Sequence, residues 1–244
     1  MRPFRGIDTS LWGPLIDGTY AIVLTLLVIE LPSLVMELVN EFNHDEIGFR
    51  SLATGIVRLI TGYLGVFLIL FDIWGKKRGI LLIIEQYCNV SSYENLAMLL
   101  SMFLATLMPP LVYLVWQVQQ SFNIQQLNNS AKNIESVEVI TFNILFGICT
   151  VLIYGLVYLC NGHSYAQLRR KIIAERSDDH RKKLGNALAR LKAIRHDSLA
   201  RLVASPMVLL AWLSPDMLIL AYGLSGLWHT DHQNLDRGGK VENG

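Results

Sequence analysis

The sequence predicts an all-α polytopic membrane protein of six transmembrane helices, the last two short, and three observations predict it. The first is composition: of 244 residues, 52% are hydrophobic and 17% charged, with a mean hydropathy of +0.38. The second is that the apolar residues gather into runs near the ~20 residues that cross a ~30 Å hydrocarbon layer. A soluble chain of this length would show shorter, amphipathic segments. The third is that Lys and Arg alternate from loop to loop as the positive-inside rule requires. The net charge of +1 conceals that asymmetry and carries no information about partners.

The first span is expected at about Leu11 to Val35, followed by an acidic loop with Glu37, Glu41, Asp45 and Glu46. It carries Asp17 and exceeds a signal-peptide core in length, so it is expected to stay in the mature protein. The second span, about Phe49 to Trp74, ends in Lys76, Lys77 and Arg78. The third, about Ser92 to Trp116, contains Pro109-Pro110, which kinks or ends its regular part by removing backbone donors. A loop rich in Gln and Asn, with Lys132 as its one cation, leads to the fourth span at about Val137 to Cys160.

Residues 163–201 follow as a basic cytoplasmic connector, with eleven Lys or Arg against four acids. Leu184, Leu188, Leu191, Ile194 and Leu199 give it helical character. A surface helix touching anionic headgroups is one reading. A solvated connector that merely obeys the topology rule is the favoured one. The last apolar block, Leu202 to Trp228, reads as one long span or as two short helices broken at Ser214-Pro215. Two helices make the total six and place both termini in the cytoplasm. Residues 1–230 then form one six-helix repeat and 231–244 a flexible cytoplasmic tail.

Several classes of chemistry find no motif. Cys88, Cys149 and Cys160 are an odd set without a CxxC pair and read as packing residues. His229-Thr230-Asp231-His232 has ligand residue types but no further ligand placed by sequence, so no metal site is expected. His163, at a span end, reads as interfacial. There is no phosphate loop, nucleophile elbow or carboxylate pair, so no enzyme activity, cofactor or nucleic-acid partner is expected. The partner implied by composition is the lipid bilayer.

The first helix holds the most informative pattern, Leu15 to Pro32, an apolar run with Asp17 at its entrance and Glu30 near its exit. A carboxylate in a span costs roughly 2.5–3.5 kcal/mol on insertion scales, so it is a functional-site hypothesis by default. At 100° per residue, Ile22, Leu26 and Ile29 fall within about 60° of one another, extended by Gly18 and Ser33. Thr25 and Glu30 flank that stripe, and Asp17 and Tyr20 fall roughly opposite. Asp17 must face protein or water, which turns the aliphatic stripe toward lipid or toward another subunit around an axis.

This first-helix pattern resembles the signature of the transmembrane protein 175 family of potassium channels. Asp17, Gly18, Tyr20, Ala21, Ile22, Thr25, Leu26 and Leu27 match in register, and Tyr63, Phe67 and Trp74 match the family's second-helix spacing. Leu15-Ile16 replaces the family's Phe-Ser, Leu11 stands where an Arg is usual, and Lys77 where His often follows the Trp. The resemblance implies a homotetrameric helical bundle assembling around a central pore lined by the first helix. It implies Ile22 as a hydrophobic gate, with Leu26 and Ile29 as further layers of the constriction. Thr25 would offer a hydroxyl ring favouring K+, and Glu30 would concentrate cations at the outer mouth. Asp17, Gly18, Tyr63, Phe67 and Trp74 would be structural. K+ would be the permeant ion and a bacterial plasma membrane the location.

No TVGYG filter is present, so carbonyl coordination of the usual kind is not expected, and no helix carries the Arg repeat of a voltage sensor. Arg58 is the lone intramembrane Arg, and Glu30 is its expected partner. The alternative function is a proton- or ion-coupled transporter using Asp17, Glu30 and Arg58 as a relay. A third is a scaffold whose basic segment recruits partners.

Overall fold

A computed structural model describes residues 9–44, 49–88, 92–114, 116, 135–205 and 219–225. Among the described residues the chain is helical, without strands. The helices are α1 (Thr9–His44), α2 (Phe49–Tyr87), α3 (Ser92–Thr106), α4 (Glu135–Ala174) and α5 (Asp178–Ala204). Shorter helical stretches occupy 108–114 and 219–225. Among the described residues, four segments are long and apolar enough to cross a membrane: Leu11–Asn40, Leu52–Tyr87, Ser92–Leu114 and Ile144–Ala174. The all-α class and the first four spans are thus as expected. Most of the last apolar block, Ser214-Pro215 included, lies outside the described residues, as does the His229–His232 motif.

The helices run past the expected span ends, for identifiable reasons. α1 continues through Pro32 and keeps its order beyond it; the Ser33 hydroxyl donates to the Glu30 carbonyl at 2.7 Å. α2 does not stop at Trp74 but carries Lys76, Lys77 and Arg78 inside the helix to Tyr87. Lys and Arg are good helix formers, so a charge run alone does not end a helix. α3 does end where the proline pair predicts: a turn at Leu107 follows, and the Leu111 N–H reaches the Leu107 carbonyl at 3.2 Å.

The chain divides into two compact units. The first holds the start of the chain to Ile22, Ile73–Thr106 and Cys149–Val203. Its apolar core includes Trp12, Ile16, Tyr20, Ile80, Tyr154 and Leu191. It also buries Lys76, Lys77, Glu94, Asn161, Ser164 and Asp197. Most polar side chains at such depth are hydrogen-bonded. The Ser164 hydroxyl donates to a Glu94 carboxylate oxygen, and the Asn161 amide donates to the Leu191 carbonyl at 3.0 Å.

The second unit comprises Val23–Asp72, Leu107–Ile148 and the chain from Ala204. Within it the 219–225 stretch meets α2 backbone to backbone. A Cβ on Gly65 would lie 2.7 Å from the Leu220 nitrogen, and one on Gly223 would lie 2.7 Å from the Gly65 oxygen. Small residues at such crossings let membrane helices gain packing that lipid does not already supply.

Residues 163–201 are more than a solvated connector. Their first part completes α4 and the rest forms α5, which buries Leu184, Ala187, Leu191, Asp197, Ser198 and Arg201. The turn between the two helices is closed by Glu175, whose carboxylate accepts the backbone N–H of Ser177 at 3.1 Å and of Arg176 at 3.0 Å. Those donors, Ser177 foremost, hold the Glu175 carboxyl below the usual carboxylate range.

Candidate functional site

α1 is two-faced. Trp12, Ile16, Tyr20, Val23, Leu27 and Leu34 are buried and fall within about 80° of one another at 100° per residue. The other side is bare: Ile22 is 63% exposed, Leu26 45% and Ile29 64%. Thr25, Gly18 and Ser33 are exposed on the same side. Only 17% of the most apolar stretch of α1 is buried, against 44–50% in the other three candidate spans. A helix this apolar, left this bare by its own chain, has its free face against lipid or against further protein.

Asp17, on the flank of that helix, is held from α2. The Trp74 indole N–H donates to Asp17 Oδ1 at 2.9 Å, and the Arg78 Nε lies 3.6 Å from Oδ2. Gly13, one turn before Asp17, makes room for this arrangement, since a Cβ there would collide with the Arg78 guanidinium. Leu11 carries no guanidinium, and the one beside Asp17 belongs to Arg78 of the neighbouring helix. Lys77, in place of His, is buried with its ammonium 5.1 Å above the Tyr20 ring. That contact favours the cation without giving it a hydrogen-bond acceptor.

Lys76 faces a different way from its neighbours. Its ammonium pairs with Asp197 of α5 at 2.5 Å, with both side chains under a tenth exposed, and sits 5.6 Å from the Tyr154 ring of α4. One turn of α2, Trp74 to Arg78, therefore ties α1 on one side and α4 and α5 on the other. Sequence reasoning missed Asp197, Arg78 and Gly13. Asp197 carried a weak signal: it is the one acid between Arg181 and Arg201.

The remaining expected residues are placed as follows. Tyr63 is buried, while Phe67 is half-buried and stacks on Phe71 with centroids 6.4 Å apart. Glu30 is half-buried, with one carboxylate oxygen sealed from solvent. Arg58 is exposed. His163 is exposed and bonds Gln167 at 2.8 Å. The three cysteines are free and buried, and no group of metal-ligand residues assembles among the described residues.

Residues 13–109 match the family model described as the endosomal/lysosomal potassium channel TMEM175. The resemblance carried by the first two helices therefore stands, and the match extends through α3. No curated protein and no solved structure matches the chain.

Proposed function

We propose, from that family match and from the face α1 leaves bare, that the protein is a cation channel favouring K+, a homotetramer with α1 lining a central pore. The supporting observation is the exposure of Ile22, Leu26 and Ile29 along one side of α1, whose most apolar stretch is 17% buried against 44–50% in the other three candidate spans. Four copies around an axis would cover that face and stack three aliphatic rings. A ring of four Ile side chains at Ile22 blocks ions without a plug, because a narrow apolar neck empties of water. Thr25 adds a hydroxyl ring beside the constriction, and Glu30 raises local cation concentration at the outer mouth. Conduction is passive. The protein sits in a bacterial plasma membrane with both termini cytoplasmic. Asp17 has a structural role in this reading, because Trp74 and Arg78 already engage its carboxylate. The coupled-transporter reading, which needs Asp17 as a relay, finds no support.

The test is cation flux into proteoliposomes. Ile22→Asn hydrates the neck and raises K+ flux at least tenfold over wild type. Absence of flux in both proteins, or a monomer as the sole species by mass in mild detergent, refutes the proposal.

A further inference from the structure

Within the second unit, α1 and α2 pair in a definite register. A Cβ on Gly55 of α2 would lie 3.3 Å from a Leu38 methyl of α1. Leu38 stands six residues before the end of α1 and Gly55 six residues after the start of α2. Eight residues back along α1 from Leu38 is Glu30, and eight forward along α2 from Gly55 is Tyr63. Each step is about 12 Å of helix. An antiparallel pair therefore brings Glu30 and Tyr63 to one level, and their side chains are within electrostatic reach of each other.

Apolar side chains surround both. One turn to either side of Glu30 stand Leu27 and Leu34, and one turn to either side of Tyr63 stand Leu59 and Val66; all four are buried, at 1% exposure or less. Inside this collar Glu30 Oε2 and the Tyr63 hydroxyl are both cut off from solvent, and neither has a hydrogen-bond partner among the described residues. Ser33, the hydroxyl one turn along α1, already donates to the Glu30 main-chain carbonyl. An acceptor and a donor, each costly to leave unpaired when buried, thus share one level of two adjacent helices without touching. One water molecule completes both, donating to the carboxylate oxygen and accepting from the phenol. Two polar partners suffice to hold a buried water. A bare cation fits less well, because a carboxylate oxygen and a phenol replace little of its hydration shell.

We propose that Glu30 and Tyr63 bind a single water molecule between α1 and α2, and that Tyr63 is, through it, the positioning residue for the Glu30 carboxylate. The water site needs no pore. Its consequence for conduction rests on the channel reading: with one oxygen held from behind, the half-buried Glu30 keeps a fixed place beside the bare Ile29.

The site is tested first without flux. A density map of wild type that resolves ordered water shows one peak within hydrogen-bond distance of Glu30 Oε2 and Tyr63 Oη, unchanged when Tl+ replaces K+. In detergent melts, Tyr63→Phe lowers the unfolding midpoint by about 3–10 °C, because the Glu30 oxygen loses the donor behind it. A hydroxyl with no partner gives the opposite sign, since its removal relieves a desolvation cost. In a Glu30→Leu background, Tyr63→Phe no longer lowers the midpoint. In proteoliposomes, Tyr63→Phe raises the half-saturating K+ concentration about twofold at unchanged maximal flux, the mark of weakened cation attraction and not of a damaged pore. Four results overturn the proposal: Tyr63→Phe melting at or above wild type, an equal loss in the Glu30→Leu background, a peak that strengthens with Tl+, or a direct Tyr63–Glu30 bond with no peak between. Absence of flux in every protein counts against the channel reading alone, because the map and the melts decide the water site.

Discussion

Replacing Asp197 with Leu removes the carboxylate that pairs with the buried Lys76 ammonium. In the wild type the two groups lie 2.5 Å apart, with side chains 6% and 9% exposed. Water cannot take over from the lost partner at that exposure. The Tyr154 ring at 5.6 Å contributes about 0.5–2 kcal/mol to holding the cation. Removing one member of a buried pair costs about 3–5 kcal/mol, whereas replacing both with apolar residues of similar volume is near neutral. Asp197→Leu alone is therefore expected to lower the unfolding midpoint by about 6–20 °C, at roughly 2–4 °C per kcal/mol for a chain of this size. Lys76→Met combined with Asp197→Leu recovers most of the loss. The assay uses the protein's own thiols: Cys88, Cys149 and Cys160 are free and buried, so a thiol-reactive fluorophore reports unfolding in detergent. A single variant within 2 °C of wild type, or a double variant no better than the single, refutes the claim that this pair is buried and coupled.

Two further outcomes follow from close contacts elsewhere. Gly65→Ala places a Cβ 2.8 Å from the Ile219 carbonyl carbon. Backbone cannot give way as a side chain can, so overpacking costs about 1–3 kcal/mol; Gly18→Ala, with nothing within 4 Å, serves as the silent control in the same melt. Trp74→Phe keeps the ring but removes the N–H that Asp17 accepts, a loss of about 1.5–3 kcal/mol for a bond to a charged group. Trp74→Phe should be additive with Gly65→Ala but not with Arg78→Gln, which touches the same carboxylate; a double-mutant cycle checks this.

Much of the fold was legible because membrane insertion is governed by local composition. An apolar run of sufficient length crosses, a proline pair interrupts α3, and a patterned helix such as α1 shows its buried face in its own spacing. The bare stripe of Ile22, Leu26 and Ile29 could be read for the same reason, as could the family signature around Asp17. Helix ends were less legible. Lys76 to Arg78 looked like a loop, since a charge run is usually solvated. Nothing in their own neighbourhood reveals that Asp197 and Tyr154 await Lys76 or that Asp17 awaits Arg78.

The sequence by itself determined the solvent this protein lives in, its helical class and the face of α1 open to other partners. All three follow from side-chain periodicity and transfer free energy, which are properties of a segment. Tertiary structure decided which charges are exposed. It buried Lys76 and Asp197, gave Asp17 its two partners, and set α5 against α4 with Asn161 bonded to the Leu191 carbonyl. Those outcomes depend on residues far apart in the chain meeting where water is excluded, and in a low dielectric a charge is retained only where its partner has been brought to it.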